Sequence, residues 1–393
     1  MSLKLAKTIN TDKAVVEFLD DSSVTIPKLQ ILNQDGSLIE GANAPELSRD
    51  HARKIYSDML YIRLFDERML SAQRQGRLSF YLTCVGEEAS VAGTIAAFDT
   101  QDMVMAQYRE QVALRYRGFS TVQFMNQLFS NIDDLGKGRQ MPVHYGCRAL
   151  NMMTISSPLA TQIPQAAGYA YGQKLKGRDA CTVCYFGEGA ASEGDFHAGL
   201  NMAAVLHCPV VFVVRNNGYA ISTPASQQFA TDGIAPRGLG YGIKTIRVDG
   251  NDILAVYAAA TEARKIAIEE QRPVLIETMS YRLAAHSTSD DPSGYRSSEE
   301  EDKWRQLDPI ERMKNWLIGR HWWDEKKDKA LQEAYRSEIL TELKLAEKRD
   351  KQPLSSLVTD VYKTTPAHLL EQFQHLQTHI EKYPDRYTGH AGC

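Results

Sequence analysis

The segment from Cys181 to Tyr219 constrains the fold of this chain most. CTVCYF runs directly into Gly187-Glu188-Gly189-Ala190-Ala191-Ser192-Glu193-Gly194, a helical stretch continues to about Leu206, and PVVFVV then ends in Arg215-Asn216-Asn217-Gly218-Tyr219. Strand, glycine turn, helix and strand in that order make a βαβ unit, and such crossovers are almost always right-handed. Both polar turns then fall at the carboxyl ends of parallel strands, where open α/β sheets bind ligands. Gly187 and Gly189 let the backbone approach a phosphate, and a helix amino end favours its negative charge. Glu188 and Asn217 supply hard oxygens of the kind magnesium takes beside phosphate oxygens. A dinucleotide fingerprint fails here: a third glycine would be needed at position 192, which is Ser192, and the acidic residue for the ribose is missing. A plain glycine turn carrying a surface glutamate would leave the Asn216-Asn217 pair without a purpose.

Strands and helices alternate from about residue 85 to 290, so the predicted fold is α/β, a doubly wound, mostly parallel sheet. CTVCYF, VVFVV and VLIET are its clearest strands. Residues 1–47 read as an extended N-terminal arm packing over something else. The α/β domain is expected over 48–324, opening with a helix capped by Ser48 and ending near Gly76. The remainder, 325–393, reads as a helical C-terminal extension. Its two apolar stripes, Leu331, Tyr335, Ile339, Leu343 and Leu369, Phe373, Leu376, Ile380, suit core or subunit contact.

The composition is that of a globular chain, with 43% hydrophobic and 24% charged residues and a net charge of −4, which gives no basic face for nucleic acid. No apolar run approaches the ~20 residues of a membrane helix. Asp12, Glu17, Asp20 and Asp21 argue against a secretory signal or transit peptide. The six cysteines are scattered and form no disulfide framework. Cys181 and Cys184 match C-x-x-C by letter, but three apart on a strand they face opposite ways, as core thiols would.

The G-Glu-G…Asn-Asn arrangement resembles the thiamin-diphosphate fingerprint. By that resemblance Glu188, the Asn217 side chain and the Tyr219 carbonyl bind magnesium, Gly189 and Ala190 touch the diphosphate, and Arg215 takes residual phosphate charge. QYREQ, LGKGRQMPVHYG, TISSPLATQIPQA, RNNGYAISTP, GYGIKTIRVDGND and HSTSDDPSGYRS extend the likeness from about residue 30 to 388. Together they resemble the α subunits of branched-chain 2-oxoacid dehydrogenases, and pyruvate or acetoin dehydrogenase α subunits less closely.

The resemblance implies further roles. Gln107, Tyr108 and Arg109 would form the active-site wall, with Tyr108 and Arg109 at the diphosphate. Ser157 and Leu159 would flank the cofactor, and Phe80 would line an apolar acyl pocket. Ser156, the Pro158 carbonyl, Thr161 and Gln162 would hold a structural potassium ion; the residues alone fit helix caps equally well. His286, after the strand VLIETMSY, would be the catalytic acid or base, whereas His144 reads as structural. In relatives a kinase modifies serines matching Ser287 and Ser297, and the serine-rich loop 284–298 is expected to order around the cofactor. Ala285 stands where mitochondrial relatives resemble a His-His pair, and Pro292 breaks the serine run. Both favour a bacterial, cytoplasmic enzyme, with the mitochondrial matrix as the alternative.

The expected activity is oxidative decarboxylation of branched-chain 2-oxoacids, with acyl transfer to the lipoyl group of a dihydrolipoyl acyltransferase core. The carboxylate that acts against the cofactor's aminopyrimidine comes, in this family, from a β subunit, which implies an α2β2 heterotetramer. Two readings of other classes remain at this level: a non-catalytic assembly subunit, and a dinucleotide-dependent dehydrogenase.

Overall fold

The computed structural model describes residues 24–387; the acidic residues at 12–21 and Cys393 lie outside that range. Among the described residues there are eight strands: β1 (Lys28–Leu29), β2 (Met103–Met105), β3 (Thr182–Gly187), β4 (Val210–Asn216), β5 (Tyr219–Ala220), β6 (Thr223–Pro224), β7 (Lys244–Asp249) and β8 (Val274–Met279). Six form one sheet in the order β1-β7-β8-β4-β3-β2, and β5 pairs with β6 as a separate hairpin. Every pairing in the large sheet is parallel. Helices cover both faces, which is why β4, buried at all seven positions, reads as an unbroken apolar run. Cys181 lies in the core on one side of the sheet and Cys184 in the core on the other.

The first helix, Arg49–Arg74, begins where Ser48 accepts from the His51 amide, and the chain leaves it through Gly76 at φ 75°. Its buried side carries Ile55, Met59, Ile62, Phe65 and Met69 at helical spacing. The described part of the N-terminal arm does more than pack over the body: β1 is an edge strand of the sheet, in register with Arg247 and Val248. One carboxylate secures it. Asp252 Oδ2 accepts from the Ile31 and Leu32 amides, both at 2.6 Å, while its Oδ1 caps the helix Ile253–Glu269 through Leu254 and Ala255.

The charged region after residue 325 begins with the helix Glu325–Ala346, which packs on the first helix and on Thr121–Phe129. Ile339 and Leu343 of the predicted stripe are fully buried, and Leu331 and Tyr335 are partly so. Of the second stripe, on Ala367–Lys382, only Ile380 is buried. No described helix is long and apolar enough to cross a membrane.

Candidate active site

β3 and β4 run side by side, with Gly187 opposite Arg215, so their polar turns meet above the carboxyl ends of the strands. Glu188 is 1% exposed; Oε2 accepts a long bond from the Asn217 amide at 3.3 Å, and Oε1 has no partner. Burial pushes its carboxyl up to about 7. Next to it, a Cβ at Gly189 would lie 2.8 Å from the Ala220 Cβ, so only glycine lets the hairpin β5–β6 close over the turn. Asn217 Oδ1 accepts from the Tyr219 amide at 3.1 Å, across Gly218 at φ 85°. No three His, Cys, Asp or Glu side chains converge as a metal cluster among the described residues. A cation here would rest on one carboxylate, an amide oxygen and a carbonyl, with the ligand's own oxygens completing the shell, a donor set that suits magnesium.

Arg215 reaches the cavity wall with carboxylate partners that the sequence did not announce. Its guanidinium is 2% exposed and is bonded to Glu87 and, at 2.7 Å, to Glu110. A cation buried this deeply needs carboxylates of its own, so its charge is already neutralised where it reaches the cavity wall. Further positive charge facing the cavity comes from Arg109 and Arg282. Arg109 bonds the carbonyls of Thr83 and His286, the latter at 2.6 Å. Arg282 donates to the Ile221 carbonyl at 2.6 Å and to the Tyr295 hydroxyl at 3.0 Å. Both are buried, and their close partners are carbonyls and a phenol rather than carboxylates. Burial and the neighbouring Arg109 hold the Arg282 guanidinium below its usual range.

His286 stands between these arginines, with Nδ1 at 3.4 Å from Arg109 Nη2 and 3.5 Å from Arg282 Nη1. Its backbone N–H donates to Asp290 at 2.6 Å, and the Tyr108 ring meets it edge-on at 6.2 Å. Burial, then Arg109 and Arg282, lower its imidazole to about 4. The neutral ring is therefore the folded form at pH 7. The shift is downward, so the stability it brings is present above the unfolded value near 6.5 and is lost as pH falls through about 4. Diethylpyrocarbonate acylates neutral imidazole. In ligand-free protein it should still modify His286 at about pH 5.5, where an unshifted histidine is mostly protonated. Peptide mapping at several pH values checks this; protection setting in near pH 6.5 would contradict it.

One cavity of about 390 Å³ is lined by Phe80, Gln107, Tyr108, Arg109, Ser157, Leu159, Glu188, Gly189, Ala190, Arg215, Asn217, Tyr219 and His286. Gln107 holds the floor by accepting from the Gly187 amide at 2.8 Å. Sequence reasoning missed Arg282 and Ile221, which also line it, and Glu87 and Glu110 beneath Arg215. His144 is buried with both ring nitrogens engaged, Nδ1 at 3.0 Å from the Pro142 carbonyl and Nε2 at 2.7 Å from Ser157 Oγ, and it also borders the cavity. Its position was hidden because the loop carrying Ser157 folds back on it.

The four potassium candidates lie on the loop entering the helix Gln162–Leu175. Thr161 Oγ1 donates to the Pro158 carbonyl at 3.1 Å and makes no cap; Gln162 Nε2 reaches the Tyr185 carbonyl at 3.0 Å; Ser156 is half-buried. Ser297 caps the helix Ser298–Arg305 through the Glu300 amide, and Ser287 Oγ meets only Ser289 Oγ, at 3.2 Å. The loop 284–298 is held by polar contacts: Asp290 accepts from Tyr295 at 2.6 Å, and buried Arg296 bonds the Arg282 and Ala284 carbonyls.

Residues 56–355 match the family described as dehydrogenase E1 component. The chain is 48% identical over 374 residues to the mitochondrial 2-oxoisovalerate dehydrogenase subunit alpha of Homo sapiens, covering 95% of this chain and 84% of that one. It is 48% identical to subunit alpha 1 of the same enzyme in Arabidopsis thaliana, over 94% of this chain and 78% of the relative. For the Caenorhabditis elegans subunit alpha the identity is 47%, over 97% and 88%. With a family match over well beyond half its length and relatives aligned over nearly all of it, the chain belongs to the dehydrogenase E1 component family.

Proposed function

We infer that this chain is the α subunit of a thiamin-diphosphate-dependent dehydrogenase that decarboxylates branched-chain 2-oxoacids of the 3-methyl-2-oxobutanoate type. It works with a β subunit as α2β2 and delivers the acyl group to a lipoyl arm of the dihydrolipoyl acyltransferase core. One observation carries the reading: a buried carboxylate oxygen without a partner, Glu188 Oε1, shares a cavity with two buried guanidinium groups whose close partners are not carboxylates. A diphosphate bridged to magnesium satisfies both ends at once. When bound, the cofactor supplies the electron sink for decarboxylation.

The chain's own residues do the rest. Glu188, Asn217 and the Tyr219 carbonyl hold the cation; Gly189 and Ala190 lie against the diphosphate; Arg109 and Arg282 balance its charge. Leu159, 38% exposed at the cavity wall, supports the cofactor from the apolar side together with Ser157, and Phe80 lines the acyl pocket. Neutral His286 accepts or returns the proton during acyl transfer. Ser156, Pro158, Thr161 and Gln162 order the Ser157–Leu159 loop around potassium. Ala285 and Pro292 support a bacterial cytoplasmic setting; the mitochondrial names of the relatives support the matrix as the second reading.

The test compares substrates on co-expressed α and β chains. A pocket shaped for a branched acyl group should favour 3-methyl-2-oxobutanoate over pyruvate by about tenfold or more in kcat/KM, the scale on which apolar pockets discriminate methyl groups. Preference for pyruvate would make it a pyruvate dehydrogenase subunit. A stable complex without turnover of any 2-oxoacid would leave only an assembly role.

The loop serines allow a second test. Ser287 follows His286, whose carbonyl is held by Arg109, so an acidic group at 287 competes with a diphosphate for that guanidinium. Ser287→Glu should lower overall complex activity by about tenfold or more, since misplaced like charges cost several kcal/mol. Ser287→Ala should be tolerated, because only Ser289 touches the hydroxyl. Coupled assays of NADH production check both; a fully active Ser287→Glu enzyme would place the loop elsewhere.

A further inference from the structure

Glu87 and Glu88 are adjacent in sequence and face opposite duties. Glu88 turns back, accepting from Arg63 at 2.6 Å and from the Gly86 amide at 2.8 Å. Glu87 turns into the site. The turn that separates them has little freedom: Gly86 sits at φ 95°, and a Cβ there would lie 2.2 Å from the Tyr281 carbonyl. The Leu283 amide donates to the Val85 carbonyl at 3.0 Å, tying this turn to the strand that leads to His286. Glu87 is 1% exposed, and one of its oxygens engages Arg215. The other, Oε1, accepts from Asn217 Nδ2 at 2.8 Å.

An ionised carboxylate can only accept, so the nitrogen end of the Asn217 amide must face Glu87. That leaves Oδ1 on the opposite side, where the Tyr219 amide donates to one lone pair at 3.1 Å and the second remains for a cation. Without Glu87 only the Tyr219 N–H would hold the oxygen end in place, and an amide that turned over would present nitrogen, which is no ligand, to the metal. We propose that Glu87 is the positioning residue of the metal corner, fixing the Asn217 carboxamide so that its oxygen, and never its nitrogen, meets the cation. Glu110 is the internal contrast, because it pairs with the same Arg215 yet makes no bond to Asn217.

This inference rests on the metal and diphosphate reading above, and its test separates the two. Purified α2β2 is titrated with Mg2+ at saturating thiamin diphosphate, following thermal stability as well as activity. If the wild-type complex shows no Mg2+-dependent rise in Tm, the site reading itself fails. Given that rise, Glu87→Gln should move the Mg2+ midpoint upward on the order of 10- to 100-fold, the usual cost of losing a partner that orients a metal ligand. Glu110→Gln should move it far less. The double variant Glu87→Gln/Asn217→Asp reverses the bond, with the new amide at position 87 donating to the new carboxylate at position 217, and should bind Mg2+ more tightly than Glu87→Gln alone. Should Glu87→Gln fail to fold, Glu87→Asp, which keeps the acceptor but draws it back, should give a smaller shift in the same direction. Equal shifts for Glu87→Gln and Glu110→Gln, or a double variant no better than Glu87→Gln, would assign the effect to the Arg215 charge network and overturn the proposal.

Discussion

Glu188→Ala is expected to raise the Mg2+ concentration needed for half-maximal activity of α2β2 by at least about 100-fold, beyond what loss of an orienting partner typically costs. Glu188 is the one carboxylate among the three cation donors, and its Oε1 has no other bond to replace. Alanine leaves only the Asn217 amide and a carbonyl, and those dipoles neutralise no diphosphate charge. Glu188→Gln, nearly isosteric, should be almost as damaging, which separates loss of charge from loss of packing. The measurement is an Mg2+ titration of activity at saturating thiamin diphosphate. An unchanged midpoint in either variant would remove Glu188 from the metal site.

The α chain freed of β should show no decarboxylation at saturating cofactor and magnesium, while the reconstituted α2β2 turns over. Glu87 and Glu110 are engaged with Arg215, and Glu188 is assigned to the cation in the proposed function. Among the cavity-lining residues that leaves Glu193, an exposed side chain at the start of the helix Gly194–Leu206, beside the diphosphate turn. None is free and buried where an aminopyrimidine ring would need a proton held. Turnover by a rigorously β-free preparation would defeat this account and direct attention to Glu193, with Glu193→Gln as the immediate check.

Local signals carried much of the architecture. The Ser48 cap, the Gly76 exit and the continuous apolar run of β4 each follow from short-range chemistry, and each is found. The site motif was legible because its two halves sit on consecutive strands of one βαβ unit. What could not be read depends on segments far apart in sequence. Glu87 and Asn217 are separated by 130 positions, and Glu110 and Arg215 by 105, so no periodicity pairs them. That is why the carboxylates that pair with Arg215 were not foreseen. Arg282 was hidden similarly, since its partners Ile221 and Tyr295 come from different loops. β1 escaped notice because two residues are too few to show alternation.

The anchoring of β1 by Asp252 has a consequence for assembly rather than for catalysis. A parallel sheet that ended at β7 would present an unsatisfied backbone ladder, the kind of border to which foreign strands add. Here two residues cover part of that border, opposite Arg247 and Val248, held because a single carboxylate serves the arm and the start of the neighbouring helix together. Seating the arm and nucleating that helix are therefore one event. The group that starts the helix thus also decides whether the sheet ends at β7 or at β1.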